Sequence, residues 1–180
     1  MSKTVLYIAM SLDGYIARAD GNLDWLTSFP LPPTGDYGYE TLLKGIGTTI
    51  MGRLTYDALL SFGIDWPYSE YDTYIVTSQH NFVPTTPKSH AASIDKLLKI
   101  VEQIKKVDTK DIWLVGGGKV IAECIHHDCL DKMIITVIPI MIGDGIRLFT
   151  ENMVESKWKL IDVTTFSTGA VNLTYERLSH

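Results

Sequence analysis

The chain has 180 residues, of which 46% are hydrophobic and 21% are charged, and its formal net charge is -5. These values fit one globular domain, and we expect that domain to span residues 1–180. The negative charge argues against non-specific binding to nucleic acid. The apolar runs are too short to span a membrane, and the first residues show no signal-peptide pattern. We therefore expect a cytoplasmic protein whose partners are small molecules rather than nucleic acid or membranes.

Strand and helix patterns alternate along most of the chain. Runs rich in β-formers predict strands at Thr4–Ser11, Thr48–Met51, Thr73–Thr77, Ser89–Ala92, Asp111–Val115 and Asp131–Pro139. Apolar residues at helical spacing predict helices from an N-cap at Asp36 to about Gly45, from Thr55 to Ser61, over 94–104 after an N-cap at Ser93, and from Lys119 to His126. Asp24 and Trp25 fall in a predicted loop.

The end of the chain is different, because two strand-like runs follow one another. Trp158–Ser167 and Ala170–Arg177 are joined by Thr168 and Gly169, which predicts an antiparallel hairpin. The whole order indicates an α/β fold, namely a three-layer sandwich with a mostly parallel central sheet, helices on both faces and this C-terminal hairpin. The hairpin and the apolar strand over 133–142 could form a sheet-edge contact between two copies.

Two glycine motifs stand out, and each combines a buried strand, a glycine turn and a helix start with one basic residue. The first spans Ile50–Tyr56 and contains Gly52 and Arg53, and the second spans Trp113–Ile121 and contains three glycines followed by Lys119. Such turns present backbone N–H groups and a helix N-terminus to an anion. Two of them in one domain predict a ligand with several phosphates, such as a dinucleotide.

The chain has only two cysteines, Cys124 and Cys129, which flank a stretch containing His126 and His127. Four ligands on one short stretch around a helix end cannot easily surround a tetrahedral ion. We therefore predict no metal site. We also expect free thiols rather than a disulfide, because the expected compartment is reducing.

Five motifs occur in an order that resembles a known superfamily: Ala9–Ala17, Met51–Tyr56, Val76–Ser78, Val115–Lys119 and Pro139–Phe149. They are similar to those of the dihydrofolate-reductase-like superfamily. The Ser-Leu-Asp-Gly and Gly-Asp-Gly-x-x-Leu-Phe forms most resemble its riboflavin-pathway branch, the reductase domain of the bifunctional deaminase–reductase. The resemblance covers nearly the whole chain and implies the dihydrofolate-reductase-like fold.

The resemblance also implies NADPH as the cofactor. Ala9 and Ile16 would flank the nicotinamide, while Thr77 and Ser78 would contact the adenosine 2′-phosphate beside Arg53. The two helix starts would hold the remaining phosphates, through Gly52, Arg53, Leu54 and Thr55 at the first and through Gly116, Gly117, Gly118, Lys119, Val120 and Ile121 at the second. A dianionic phosphate favours such a combination of charged donors and hydroxyl groups.

On the substrate side, Asp36 has the position of the acid on the first helix of folate reductases. A carboxylate there can bind an amino-pyrimidine edge and assist protonation, although Asp36 also fits a purely structural N-cap role. Glu40 follows one turn later, where a second carboxylate could raise the pKa of the first. Trp25, Tyr39 and Thr136 are the other candidate substrate contacts.

These observations favour an NADPH-dependent reductase that acts on a small pyrimidine-like, pterin-like or carbonyl substrate. The resemblance points to 5-amino-6-(5-phosphoribosylamino)uracil reductase. The stretch 54–87 contains no Lys or Arg, which argues against binding the glutamate tail of dihydrofolate. Dihydrofolate reductase proper and a non-catalytic NADP(H)- or flavin-binding module remain alternatives. Relatives in the riboflavin branch are often dimers, so we expect a homodimer.

Overall fold

The computed structural model describes residues 2–150 and 153–178. Its strands are β1 (Thr4–Ser11), β2 (Tyr15–Ala17), β3 (Ile46–Gly52), β4 (Asp72–Val76), β5 (Ser89–Ala92), β6 (Asp111–Gly116), β7 (Lys132–Ile138), β8 (Ile146–Arg147), β9 (Trp158–Thr165) and β10 (Val171–Arg177). Its helices are α1 (Asp24–Thr27), α2 (Tyr39–Gly45), α3 (Arg53–Ser61), α4 (Ile94–Val107) and α5 (Gly118–His126).

Eight strands form one sheet in the order β5-β4-β3-β6-β1-β7-β10-β9. The first six strands in this order are parallel to one another, whereas β10 runs antiparallel to both β7 and β9. The mostly parallel sheet and the C-terminal antiparallel hairpin are therefore confirmed. Strands β2 and β8 form a separate two-stranded ribbon.

Helices cover both faces of the sheet, because the side chains of each strand alternate between two cores. One core joins Leu6, Ile50 and Leu114 of the sheet to α4 and α5, through residues such as Leu97 and Ile121. The other core lies on the opposite face, where side chains of α2 and α3 pack on the sheet around Met51, Tyr56, Ile75 and Trp113. The three-layer arrangement predicted from the sequence is thus confirmed.

The predicted edge contact through residues 133–142 is wrong in part. Strand β7 lies between β1 and β10 in the sheet, so its backbone is already paired on both sides. The edge strands of the sheet are instead β5 and β9, and most side chains of β9 are exposed. The hairpin can still provide an edge, because β9 is its outer strand.

The helix starts also differ from the predicted ones. Helix α3 begins at Arg53 rather than Thr55, which places Arg53 in its first turn. The prediction of Asp36 as an N-cap is wrong, because α2 begins at Tyr39 after Gly38, whose φ of 98° suits glycine. The Asp36 carboxylate nevertheless accepts hydrogen bonds from the backbone N–H groups of Gly38 (2.8 Å) and Glu40 (2.6 Å).

Candidate functional site

The two glycine motifs lie next to each other at one edge of the sheet. Strands β3 and β6 are parallel neighbours, so Gly52 and Gly117 follow strand ends that point the same way. A Cβ atom added to Gly52 would lie 3.2 Å from Val120 Cγ2 and 3.9 Å from the Gly117 nitrogen. The sequence predicts that both turns meet one ligand, and the structure brings them together into one surface.

Both turns lead into helices that lack a side-chain cap. Gly52 is the N-cap of α3 and Gly117 is the N-cap of α5, and neither helix start receives a hydrogen bond from its cap side chain. A Cβ at Gly117 would meet Thr55 Oγ1 at 3.3 Å, and one at Gly118 would meet the Arg147 carbonyl oxygen at 2.9 Å. Glycine at these positions therefore allows the second turn to pack closely against α3 and the segment at Arg147.

The N–H groups at the start of α5 are not equally available. The N–H groups of Val120 and Ile121 both donate to the Gly117 carbonyl oxygen, at 3.0 and 3.1 Å, and their side chains are buried. Lys119 is exposed, as is Leu54 in the first turn of α3. Val120 and Ile121 therefore support the turn by packing, and the earlier N–H groups of α5 are the better placed to meet an anion.

Beside these turns, β1 continues beyond the residues at which it pairs with β6, and we call the unpaired side of β1 there the cleft. Strand β1 pairs with β6 only over Thr4–Leu6, whereas it pairs with β7 over Val5–Ser11. Ala9 lies in the part of β1 that has lost β6 as a neighbour, and Ile16 lies on the adjacent strand β2. Open α/β sheets bind ligands outside the carboxyl ends of their strands.

Arg53 lines an open cavity of about 570 Å³ at the end of the first turn. The other residues lining it follow β4, and they are Ser78, Gln79, His80, Asn81, Phe82 and Val83. Thr77 lies beside this cavity, since its hydroxyl oxygen accepts a hydrogen bond from the Gln79 N–H group at 3.1 Å. The structure thus brings the three residues predicted for the 2′-phosphate to one place.

The Arg53 guanidinium already has partners that the sequence analysis missed. Its Nε donates to both carboxylate oxygens of Asp57, at 2.7 and 2.8 Å, and its Nη1 donates to Gln79 Oε1 at 2.9 Å. It also lies 3.8 Å from the centroid of the Phe82 ring. The Asp57 contact has a signal in the sequence, because side chains four residues apart meet on a helix.

The second part of the site lies on the sheet beneath residues 36–39. Thr136 of β7 faces Ala9 in the β1–β7 register, and its hydroxyl donates to Asn172 Oδ1 at 2.7 Å. Asn172 Nδ2 in turn donates to the Tyr37 carbonyl oxygen at 2.6 Å. Asn172 therefore links the sheet to the segment that carries Asp36, and no local sequence pattern indicated this link.

Tyr7 is a further residue that the sequence analysis missed. It lies two positions before Ala9 on β1 and therefore on the same face, and its ring centroid is 6.2 Å from that of Tyr39. Burial and the negative charge of Asp36 raise the pKa of Tyr7 to about 12, against a smaller lowering by a hydrogen bond with Thr136. The Tyr7 phenol consequently stays protonated at neutral pH, close to the Asp36 carboxylate.

The remaining candidate substrate contacts lie in different surroundings. Glu40 is exposed on the surface of α2. Trp25 belongs to the short helix α1, not to a loop, and is only 3% exposed, packed with Ile138 and Ala170. Its indole N–H is buried without a hydrogen-bond partner. A group of three or more His, Cys, Asp or Glu residues that could hold a metal ion does not occur among residues 2–150 and 153–178.

We expect Asn172→Leu to destabilise the protein by about 2–4 kcal/mol, because it leaves the buried Thr136 hydroxyl and the Tyr37 carbonyl unpaired. Urea unfolding would measure this change. Asn172→Asp should cost less at a pH where the new side chain is protonated, because the acid then offers both an acceptor for Thr136 and an O–H donor for the Tyr37 carbonyl. A Leu variant as stable as the parent would contradict the proposed link.

Comparison with known proteins places this arrangement in a family. The RibD C-terminal domain family matches residues 2–172. The uncharacterized Bacillus subtilis protein YwjB is 36% identical over 176 residues, covering 97% of this chain and 98% of that protein. Its Bacillus subtilis relative YyaP, also uncharacterized, is 28% identical over 96% of this chain and 94% of its own length.

Solved structures agree with this assignment. A proposed riboflavin biosynthesis protein from Shewanella sp. PV-4 is 31% identical, with a TM-score of 0.85 over 98% of this chain and 99% of that one. Dihydrofolate reductase from Enterococcus faecalis, in complex with NADP(H), has the same fold, with a TM-score of 0.70 at 18% identity over 98% of this chain and 97% of that one. Acinetobacter baumannii RibD also shares it, with a TM-score of 0.70 at 16% identity, and this chain spans 58% of that protein. The chain therefore belongs to the RibD C-terminal domain family and has the dihydrofolate-reductase-like fold.

Proposed function

We propose that the protein is an NADPH-dependent reductase that transfers hydride to a small pyrimidine-like, pterin-like or carbonyl substrate. The observation that carries this proposal is the position of the two adjacent glycine turns beside the cleft between β1 and β6. The turns suit phosphates, since α3 and α5 both begin there and helix N-termini favour anions. The cleft suits a flat ring that extends from those phosphates.

Three groups of residues would bind three parts of NADPH. The first-turn N–H groups of α3 and α5 would hold the linking phosphates, with Lys119 nearby. Arg53, Thr77 and Ser78 would hold the 2′-phosphate in the cavity that Arg53 lines. Ala9 and Ile16 would border the nicotinamide in the cleft. When bound, this cofactor supplies the hydride, and the protein positions the two reactants.

Asp36 and Tyr7 would act on the substrate. Two backbone N–H groups fix the Asp36 carboxylate, and each of its oxygens keeps a lone pair that can accept an N–H from a nitrogen heterocycle. The nearby Tyr7 phenol is neutral and can donate a hydrogen bond to a substrate carbonyl or ring nitrogen. An acid next to the reacting atom assists protonation as hydride arrives.

Within this class, a substrate of the riboflavin-pathway type is favoured over dihydrofolate. Family membership supports it, and the absence of Lys and Arg from the stretch 54–87 leaves no cation there for a carboxylate tail. Two arginines outside that stretch differ in their partners: Arg18 is paired with Asp24, whereas Arg147 donates to the hydroxyl of Tyr15. Arg147 is therefore the better candidate to bind a ribose phosphate.

The test is a turnover assay with the purified protein. We expect NADPH oxidation in the presence of 5-amino-6-(5-phosphoribosylamino)uracil, NADP+ reduction in the reverse direction with the corresponding ribitylamino compound, and little NADPH oxidation with dihydrofolate. Binding of NADPH without turnover on any pyrimidine, pterin or carbonyl compound would instead favour a non-catalytic nucleotide-binding module. A yellow protein with flavin absorbance would favour a flavin-binding module.

We also propose that the protein is a homodimer that associates through β9. The side chains of Leu160, Ile161 and Val163 are 47%, 42% and 49% exposed on this edge strand, and an unpaired edge with apolar side chains favours pairing with another chain.

Light scattering should therefore give a dimeric mass. Val163→Lys should shift it toward the monomer, because a lysine on an edge strand opposes edge-to-edge pairing. Thr109→Lys, an exposed substitution away from this strand, should leave the dimer intact. A monomeric parent protein, or a dimer unaffected by Val163→Lys, would contradict this interface.

A further inference from the structure

The two cysteines are brought together by the way in which α5 ends. Asp128 adopts a left-handed conformation with φ of 54°. The Cys129 N–H donates to the Cys124 carbonyl oxygen at 2.9 Å, and the Asp128 N–H donates to that of Ile125 at 3.3 Å. This pair of bonds defines a Schellman motif, in which the side chains of the third helical residue from the end and of the second residue beyond the C-cap (His127) come into contact. These two residues are Cys124 and Cys129.

This contact is held in place by the surrounding structure. Arg177 forms an ion pair with Asp128 and donates from Nη1 to the Ile125 carbonyl oxygen at 3.2 Å. The two bonds anchor the left-handed residue and the last turn of α5 to β10. The backbone at both cysteines is therefore fixed in the arrangement in which the Schellman motif places their side chains in contact.

The two thiols have different environments. Cys124 is fully buried in the core, whereas Cys129 is 9% exposed. The pKa values of the two thiols shift in opposite directions. Interaction with Cys129 and burial raise the pKa of Cys124, while interaction with Cys124, aided by the Lys105 ammonium, lowers the pKa of Cys129 against the opposing effect of burial. Lys105 donates to the Cys129 carbonyl oxygen at 3.0 Å and also pairs with Asp131, which limits its effect on the thiol. Cys129 is consequently the better nucleophile.

We propose that Cys124 and Cys129 form a reversible dithiol–disulfide pair that is oxidised by small hydroperoxides, with Cys129 as the attacking thiolate and Cys124 as the resolving thiol. This pair lies at the C-terminal end of α5, whereas the proposed cofactor turn lies at its N-terminal end. The proposal does not depend on the reductase activity. It concerns oxidation of thiols that are free in the described structure.

The reaction balances in two steps. The Cys129 thiolate attacks one oxygen of the hydroperoxide, so that an S–O bond forms, the O–O bond breaks and an alkoxide or hydroxide leaves and takes up a proton. The Cys124 sulfur then attacks the Cys129 sulfenic acid, so that the S–S bond forms, the S–O bond breaks and water leaves with the Cys124 proton. The pair loses two electrons to the peroxide, and a small-molecule dithiol returns them.

The experiment treats the folded, reduced protein with hydrogen peroxide and measures intact mass and free thiols. We expect a monomer lighter by two hydrogen atoms, with both thiols lost and both restored by dithiothreitol. The assignment is unambiguous, because the chain has only these two cysteines. Three outcomes would each overturn the proposal. They are free protein thiols that persist while a small thiol in the same tube is consumed, a product that is heavier by oxygen atoms only, and disulfide-linked dimers.

Single substitutions separate the two roles. In Cys124→Ser, Cys129 should form a sulfenic acid that dimedone traps, because the resolving thiol is missing. In Cys129→Ser, the buried Cys124 should be labelled at least about tenfold more slowly, since its thiolate is disfavoured. Circular dichroism would check that both variants are folded. Equal labelling of the two folded variants would overturn the assignment of Cys129 as the nucleophile.

Discussion

Replacing Arg53 with glutamine should weaken NADPH binding by about ten- to hundredfold, because a charge-assisted hydrogen bond contributes about 1.5–3 kcal/mol and each 1.4 kcal/mol is tenfold in affinity. NADH lacks the 2′-phosphate and should lose no more than about threefold, the range of an ordinary surface substitution. The prediction rests on the cavity that Arg53 shares with Ser78. Fluorescence titration of both cofactors would measure the two affinities.

The ion pair with Asp57 makes this prediction sharper. The Asp57 carboxylate accepts a hydrogen bond from Arg53 Nε at 2.7 Å. Its negative charge therefore repels a phosphate that approaches the Arg53 guanidinium. Asp57→Asn removes this repulsion, and at contact distance in water one charge pair is worth about 1 kcal/mol. The variant should therefore bind NADPH up to about fivefold more tightly and NADH almost unchanged.

Three outcomes would contradict the assignment of Arg53. The first is equal affinity of the parent protein for NADPH and NADH. The second is an equal loss of affinity for both cofactors in Arg53→Gln, which would indicate a general effect on the fold of α3. The third is weaker NADPH binding in Asp57→Asn, which would mean that Asp57 orients Arg53 rather than competing for it.

The sequence was sufficient for the features that depend on local patterns. Alternation of β-rich runs with amphipathic stretches predicted the strands of the parallel sheet, and the turn at Gly169 predicted the hairpin. The glycine turns at Gly52 and Gly117 were also predictable, because in each case an apolar strand-like run is followed directly by glycine and then by apolar residues at helical spacing. The two motifs predict a shared ligand, but the direct adjacency of β3 and β6 could not be read from them, since it arises from the sheet order.

The features that the sequence did not predict depend on contacts between distant segments. Asn172 joins Tyr37 to Thr136 across three elements, and asparagine in a strand carries no signal of such a role. The start of α2 was misplaced because Asp36 is a common N-cap residue, whereas Gly38 adopts the conformation that precedes this helix. Tyr7 was overlooked because its proximity to Asp36 depends on how residues 36–39 cross the sheet.

Asp36→Asn should lower kcat by about 10²- to 10⁴-fold, the usual contribution of a positioned acid or base. The amide keeps the size of the carboxylate and can still accept a hydrogen bond from the Gly38 or Glu40 N–H group, so the segment should stay folded. It loses the negative charge and one acceptor oxygen toward the substrate. Steady-state kinetics with NADPH and the substrate identified in the turnover assay would measure the loss.

Two further measurements separate catalysis from structure in this variant. NADPH affinity should be unchanged, because Asp36 lies in the part of the site assigned to the substrate. Asp65→Asn, in an exposed loop, is a matched control and should retain the kcat of the parent. A kcat within threefold of the parent in Asp36→Asn would remove Asp36 from the chemistry and leave it the structural role of holding the Gly38 and Glu40 N–H groups.

The Tyr7 phenol gives this prediction a pH signature. The Asp36 charge contributes to the high pKa of Tyr7, so removal of that charge should lower the pKa below about 12. Any alkaline loss of activity that arises from ionisation of Tyr7 should therefore move to lower pH in Asp36→Asn, and it should be absent from Tyr7→Phe. If the alkaline limb stays in place in both variants, Tyr7 does not titrate in the reaction, and the proton must come from another group or from water.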